Sequence, residues 1–277
     1  MMDWPFDRAT SLDPATYLQS LGRILATFDA SIQDSGNVSF ALEAADRRWF
    51  VKTAGDPQSA GAPLPHPARV NLLLNARDMA LAARHPVLPG FHGLIETAWG
   101  PGLIYDWVAG QVLGGPLARK EDPEGPFQRF RRLPPHTLSA TLGQVIDLHR
   151  RLADAGWVAC DFYDGTLMYD FDQDRIWVID LDLYRRGAFT NEMGRMFGST
   201  RFMAPEEFER GARIDEQTTV FNLGRAISVF MGDATLDPGT FRGAGHEYET
   251  MIRACEPDRA SRFPGIAEMA ASWSPGG

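Results

Sequence analysis

Seven aspartates fall in one stretch, DFYDGTLMYDFDQDRIWVIDLD (residues 161–182). Its pattern constrains the local fold more tightly than any other part of the chain. Two short apolar runs, TLMYD and RIWVID, flank the polar turn FDQD, which is the alternation of a β-hairpin whose turn acids lie in solvent. A tight hairpin returns the chain on itself, so Asp161, just before the first strand, and Asp180 and Asp182, at the end of the second, emerge on one side. Convergent carboxylates repel unless a cation bridges them, which points to bound magnesium. Asp170, Asp172 and Asp174 alternate like the start of a calcium loop. The sixth position of such a loop requires glycine and the twelfth a bidentate glutamate, but these are Arg175 and Leu181. The three acids therefore read as turn residues.

With 277 residues, 44% of them hydrophobic, the chain can bury one large core or build two modest lobes. The formal net charge of -9 argues against nucleic acid or an anionic membrane as the main partner, since both require a clustered basic face. No uncharged apolar run reaches membrane length, and the opening MMDWPFDRATSLD lacks the basic and apolar regions of a signal peptide, so a cytoplasmic location is expected. Cys160 and Cys255 are too few and too scattered for a disulfide framework or a zinc site. Of 27 basic residues only Lys52 and Lys120 are lysines. Lys120, in ARKEDPEG, reads as a surface residue. Lys52, in RWFVKTA, lies inside an apolar strand-like run and is singled out.

The stretch DPATYLQSLGRILATFD opens with an Asp-Pro start signal and carries Tyr17, Leu18, Leu21, Ile24 and Leu25 at helical spacing, predicting one helix and an N-terminal extension over 1–30. Residues 31–54 turn to strands, a Pro/Gly-rich loop leads to a helix at about 68–84, and two further strand-like runs follow in FHGLIETAWG and GLIYDWV. GGPLARKEDPEGPFQRFRRLPP is polar and proline-flanked and reads as an exposed connection. TLSATLGQVIDLHRRLADAG is a strongly amphipathic helix with Leu138, Leu142, Val145, Ile146 and Leu152 on one face. Its His149 reads as a packing or surface residue.

Downstream of the hairpin, GSTRFMAPEEF resembles the end of a protein-kinase activation segment, and the other landmarks of that family follow in order. WFVKTA is similar to the strand bearing the phosphate-binding lysine and GLIYDWVAG to the hinge. ACDFYDGTLMYD stands for the catalytic loop, VIDLD for the metal-binding segment and CEPDRASRFPGIAEM for the late segment whose arginine pairs with the Ala-Pro-Glu glutamate. The chain thus resembles a divergent bacterial serine/threonine protein kinase. The resemblance implies an α+β, two-lobed fold with a mostly β N-lobe over 31–104 and a hinge and mostly α C-lobe over 105–277. It implies ATP and magnesium as cofactors, with γ-phosphate transfer to a protein substrate or a small-molecule hydroxyl acceptor. Carried over by position, Lys52 would meet the α- and β-phosphates, and Gly36, Asp106, Val108 and Thr166 would line the nucleotide, with Trp107 near the adenine. Asp161 would take the acceptor proton, Asp180, Asp182 and Thr166 would hold magnesium, and Glu206 and Arg262 would form a structural ion pair. Ser199 falls where the pattern places a threonine that steadies the catalytic aspartate. Thr190, Ser199 and Thr200 are candidate autophosphorylation sites.

The departures are specific. Only Gly36 remains of the three glycines of a phosphate loop, and Asn75 or its neighbour stands where a glutamate pairs with the lysine. Ala159 and Cys160 replace His-Arg before the catalytic aspartate, Tyr163 replaces the loop lysine and Thr166 the metal-binding asparagine. Asp182 or Asp164 would then supply the missing metal contact. Two other functions stay open: a pseudokinase that binds nucleotide without transfer, and a small-molecule kinase of the aminoglycoside or choline type, toward which the Asp180-Leu181-Asp182 spacing leans.

Overall fold

In the computed structural model, which describes residues 4–29, 36–59 and 62–274, the strand-like runs of the N-terminal region close into one antiparallel sheet and the C-terminal region is mostly helical, an α+β organisation. The chain divides into two units, Met1–Arg84 with Pro89–Val108, and His85–Leu88 with Ala109–Gly277.

The first unit holds α1 (Pro14–Leu21), β1 (Arg23–Phe28), β2 (Val38–Ala44), β3 (Arg47–Thr53), α2 (His66–Ala82), β4 (Phe91–Thr97) and β5 (Gly100–Asp106). The sheet order is β1-β2-β3-β5-β4. β2 and β3 are joined by a two-residue turn, Ala45 and Asp46, both at positive φ, the geometry that matches the twist of paired strands. Alternation along β3 then sorts its side chains. Trp49 and Val51 enter a core with Phe6, Tyr17, Leu18 and Phe40, while Lys52 lies opposite Leu103 of β5. Leu103 packs with Leu73 and Ala76 of α2, and directly paired residues share a face, so Lys52 stands on the α2 side of the sheet.

The helix expected over 13–29 is half correct. α1 begins as read, with Asp13 capping the Thr16 amide at 3.0 Å, but it ends at Leu21 and the chain continues as β1, paired with β2. Gly22 makes the switch. A Cβ there would lie 2.1 Å from the Glu43 carbonyl oxygen, so only glycine lets the two backbones approach. Ile24 and Leu25 fit a helical stripe and a strand equally well, and pairing with β2 decides between them. Within residues 4–29 the expected helical extension is helical only over Pro14–Leu21, and Arg23–Phe28 is an edge strand of the sheet.

The second unit contains β6 (Gln111–Val112), α3 (Leu117–Glu121), α4 (Pro126–Arg131), α5 (Pro135–Asp154), β7 (Trp157–Val158), β8 (Leu167–Asp170), β9 (Arg175–Val178), β10 (Arg185–Arg186), β11 (Phe189–Thr190), β12 (Arg213–Ile214), α6 (Glu216–Met231), α7 (Gly245–Ala254) and α8 (Ile266–Trp273). α5 buries the predicted stripe. α6 is buried nearly all round, as a central core helix must be. The expected exposed connection at about 114–135 is instead α3 and α4. Phe127 and Phe130, one helical step apart, are buried against Phe230 at ring distances of 5.7 and 5.1 Å. Prolines and charges masked that short apolar stripe. Among the described residues no helix is long and apolar enough to cross a membrane.

Gly22→Ala is expected to cost about 2 kcal/mol, the usual size of an overpacking strain. It should lower the urea midpoint without changing the slope of the unfolding transition.

Candidate functional site

The 161–182 hairpin forms as its pattern predicts. β8 and β9 pair from Leu167↔Val178 to Asp170↔Arg175. In the turn, the Asp170 carboxylate accepts the backbone N–H groups of Asp172 at 3.0 Å and Gln173 at 3.2 Å. The Tyr169 hydroxyl donates to Asp174 at 3.3 Å. These three acids build the turn, and the calcium pattern has no counterpart in the fold.

The open end of the hairpin carries the other aspartates. Beyond the last strand pair, the Ile179 N–H donates to the Thr166 carbonyl at 2.8 Å, which sets Asp180 beside the 3-10 turn Asp164–Thr166. Asp161 and Asp180 both occupy the left-handed backbone region, at φ 60 and 59. Aspartate enters that region more readily than most residues, yet it costs on the order of 1 kcal/mol or more at each position. Asp174, Ala45 and Asp46 share that geometry because hairpin turns demand it; Asp161 and Asp180 lie outside any hairpin turn. Asp161 is half-buried, Asp180 exposed, and Asp182 and Thr166 buried. The Thr166 hydroxyl donates to the Tyr163 carbonyl at 2.9 Å, so its oxygen keeps lone pairs for a ligand. Among the described residues no group of three or more His, Cys, Asp and Glu side chains gathers closely enough to hold a metal ion alone.

The Asp161 loop packs on His149, which of the two expected roles, packing or surface, takes the packing one. His149 of α5 is 1% exposed, and its ring meets the edge of Phe162, the residue after Asp161, at 4.6 Å. Nδ1 lies 2.7 Å from the Val145 carbonyl, which can only accept, so Nδ1 carries the proton and Nε2 accepts from the Tyr184 hydroxyl at 2.8 Å. Burial holds this histidine neutral, with its pKa pushed down to about 4. Cys160 is driven up to about 12, chiefly by burial, and is no nucleophile. Glu207, whose carboxylate accepts from the Ala204 amide at 2.6 Å and Asn222 at 2.7 Å, is raised to about 7 by burial, with the charges of Glu206 and Asp161 pushing the same way.

Asp164 is not free to act as a metal ligand in place of asparagine. It is fully buried and bridged by two cations, Lys120 at 3.0 Å and Arg201. Lys120 is consequently no leftover surface residue. Gly165 is required beneath Tyr163: a Cβ there would fall 2.3 Å from the tyrosine ring. Gly198 lies against the same loop, since a Cβ on it would be 3.7 Å from the Asp161 carboxylate. Ser199 follows directly, half-buried. Thr190 and Thr200 are exposed, and Thr200 accepts from Arg195 at 3.3 Å.

In the first unit, Lys52 is buried in β3 and Asn75 is half-buried on α2. Gly36 has φ 78, and its carbonyl is held by Arg69, a buried α2 arginine that also binds the carbonyls of Ala54 and, at 3.0 Å, Asp56. Nothing in the sequence marked Arg69, because its partners are backbone atoms of two loops. The Asp106 side chain is taken by Arg47 and by His92 at 2.7 Å, and its N–H donates to the Gly90 carbonyl at 2.8 Å. Val108 is half-buried. Trp107 stacks on Phe28 at 6.5 Å.

Glu206 and Arg262 form the expected ion pair, with two contacts of 2.7 and 3.0 Å, and Arg259 adds a third at 2.7 Å. Burial raises the Glu206 carboxyl, but the Arg262 guanidinium, helped by the Thr218 hydroxyl, outweighs it and holds it below the usual range. No family model and no curated protein matches this chain.

The buried titrating pair gives a stability signature. Between its unfolded pKa near 6.5 and its folded value of about 4, His149 is protonated only in the unfolded chain, so its contribution falls as pH drops through that window. Glu207 works in the opposite sense: between 4.5 and about 7 only the folded chain keeps the proton, and its contribution falls as pH rises. His149→Phe should therefore lose less stability than the parent between pH 7 and pH 5, by about 2 kcal/mol. Urea unfolding at the two pH values measures the difference.

Proposed function

We propose that this chain is an ATP-dependent phosphotransferase of the two-lobed protein-kinase-like fold, moving the γ-phosphate of magnesium-bound ATP to a Ser/Thr-type hydroxyl. The observation that carries the reading is the pair of left-handed aspartates that bracket the hairpin, Asp161 before it and Asp180 after it, the latter following Ile179, whose N–H bonds to the Thr166 carbonyl. Left-handed backbone at non-glycine residues clusters at functional sites. The antiparallel sheet with a buried lysine on β3 and the Glu206–Arg262 pair support it independently.

In this reading Asp161 accepts or orients the proton of the attacking hydroxyl. The hydroxyl oxygen bonds to the γ-phosphorus, the bond from that phosphorus to the bridging oxygen breaks, and ADP leaves. Lys52 holds the α- and β-phosphates as a compact point charge. Asp180, Asp182 and the Thr166 hydroxyl, hard oxygen donors, would hold magnesium, which would supply positive charge to neutralise the phosphates. Val108, rather than the already engaged Asp106, is assigned to the adenine.

Purified protein incubated with γ-labelled ATP and magnesium tests the proposal. Transfer to added serine or threonine peptides, or to the protein itself, is expected, with a loss of about a hundredfold or more in Asp161→Asn, the size of a lost general base, and a comparable loss in Asp180→Ala. Undiminished transfer by Asp161→Asn contradicts the assigned base. Labelling of a small hydroxylated compound but of no peptide favours the small-molecule kinase. Magnesium-dependent nucleotide binding with no transfer favours the pseudokinase.

A further inference from the structure

The cations around the Asp161 loop are under-compensated. Lys120 Nζ lies 3.0 Å from one Asp164 oxygen and 3.3 Å from the other, and Arg201 meets the same buried carboxylate. One carboxylate thus faces two positive charges. Arg201 sits 5.3 Å from the ring of Phe127 and Arg131 5.8 Å from that same ring, which brings the two guanidiniums into one neighbourhood. Arg242 extends the group by donating to the backbone carbonyls of Arg131 and Leu133.

The partners of these arginines matter. Arg131 donates to the Gly232 carbonyl, and its Nε is buried without a hydrogen-bond partner among the described residues. Arg242 likewise spends its donors on carbonyls. A carbonyl satisfies an N–H but cancels no charge. Burial pulls the Arg131 pKa down, Asp233 opposes this, and the like charges of Arg242 and Arg201 add to the pull. Asp233 itself is occupied by Thr235 and Thr240. Among the described residues Asp164 is the carboxylate ion-paired with these cations, to Lys120 and Arg201, while Asp233 acts on Arg131 only through space.

We propose that Lys120, Arg131, Arg201 and Arg242 form an acceptor-docking face that selects a hydroxyl-bearing peptide rich in aspartate and glutamate. Its link to Asp161 is short: Asp164 belongs to the same loop, and Arg201 follows Gly198, which packs against the Asp161 carboxylate. The assignment of this face to an acceptor rests on the phosphotransferase reading. The chain lacks a lysine at position 163, where Tyr163 stands, and the face returns positive charge to the loop from other elements. Peptide is favoured over nucleic acid because the two rings beside Arg201, Phe127 and Phe202, are both buried and offer no stacking platform.

Fluorescence anisotropy without nucleotide tests the face directly. The probes are a labelled serine peptide flanked by Asp and Glu and its Lys/Arg-flanked counterpart. The acidic peptide should bind at least about tenfold more tightly and weaken as salt rises. Lys120→Gln and Arg242→Gln should each weaken it severalfold. Asp164→Asn, which removes the compensating charge while keeping the side-chain shape, should tighten it, a gain that misfolding cannot produce. Equal binding of the two peptides, unchanged affinity in Lys120→Gln, or displacement by a single-stranded oligonucleotide at lower concentration than by unlabelled peptide overturns the proposal. Acidic-peptide selectivity without phosphotransfer counts against the phosphotransferase reading alone. Transfer to acidic and basic peptides at equal rates counts against the docking face alone.

Discussion

The hydrogen bond from the Ile179 amide to the Thr166 carbonyl, 2.8 Å long, carries the hairpin one step beyond its last strand pair. It clamps the chain before β8 to the chain after β9, and so fixes Asp180 beside the turn Asp164–Thr166. The closure is itself backed by the core: Leu167 and Val178, the adjoining pair, are fully buried. Apolar burial thus holds this end of the hairpin in place.

A second regularity is how the chain disposes of its arginines. Several guanidiniums are directed at backbone carbonyls rather than at acids: buried Arg69 holds two loops in the first unit, and half-buried Arg131 and exposed Arg242 bind carbonyls in the second. Such bonds fix loop geometry while leaving charge to act at a distance. Where a carboxylate is used, it is shared, as Glu206 is between Arg262 and Arg259 and Asp164 between Lys120 and Arg201. The first arrangement is a well-buried structural tie. The second stands in the loop of Asp161 and keeps a surplus of positive charge.

Period and turn chemistry made much of the fold legible. The β2–β3 and β8–β9 hairpins, α2 and α5 follow from two-residue and helical repeats. The end of α1 did not, because Ile24 and Leu25 satisfy both repeats and only the close approach of Gly22 to Glu43 selects the strand. α4 was hidden among charges for the same reason that short stripes are always weak. At the site, the aspartates were visible as a cluster, and hairpin geometry sorted turn acids from end acids. His149 with Tyr184, and Lys120 with Asp164, were not visible, since each joins residues far apart in sequence whose complementarity appears only when the chain is folded. Lys120 in particular looked solvated because its own neighbours in sequence are charged.

The most direct test of the central claim is the thermal midpoint of the protein with ATP, with and without magnesium, for the parent chain and Asp180→Ala. Binding to the folded state raises the midpoint through mass action. The account predicts a shift of several degrees with ATP and magnesium together, a smaller one with ATP alone, and no added effect of magnesium in Asp180→Ala. A parent midpoint unmoved by ATP and magnesium at millimolar concentration would contradict it.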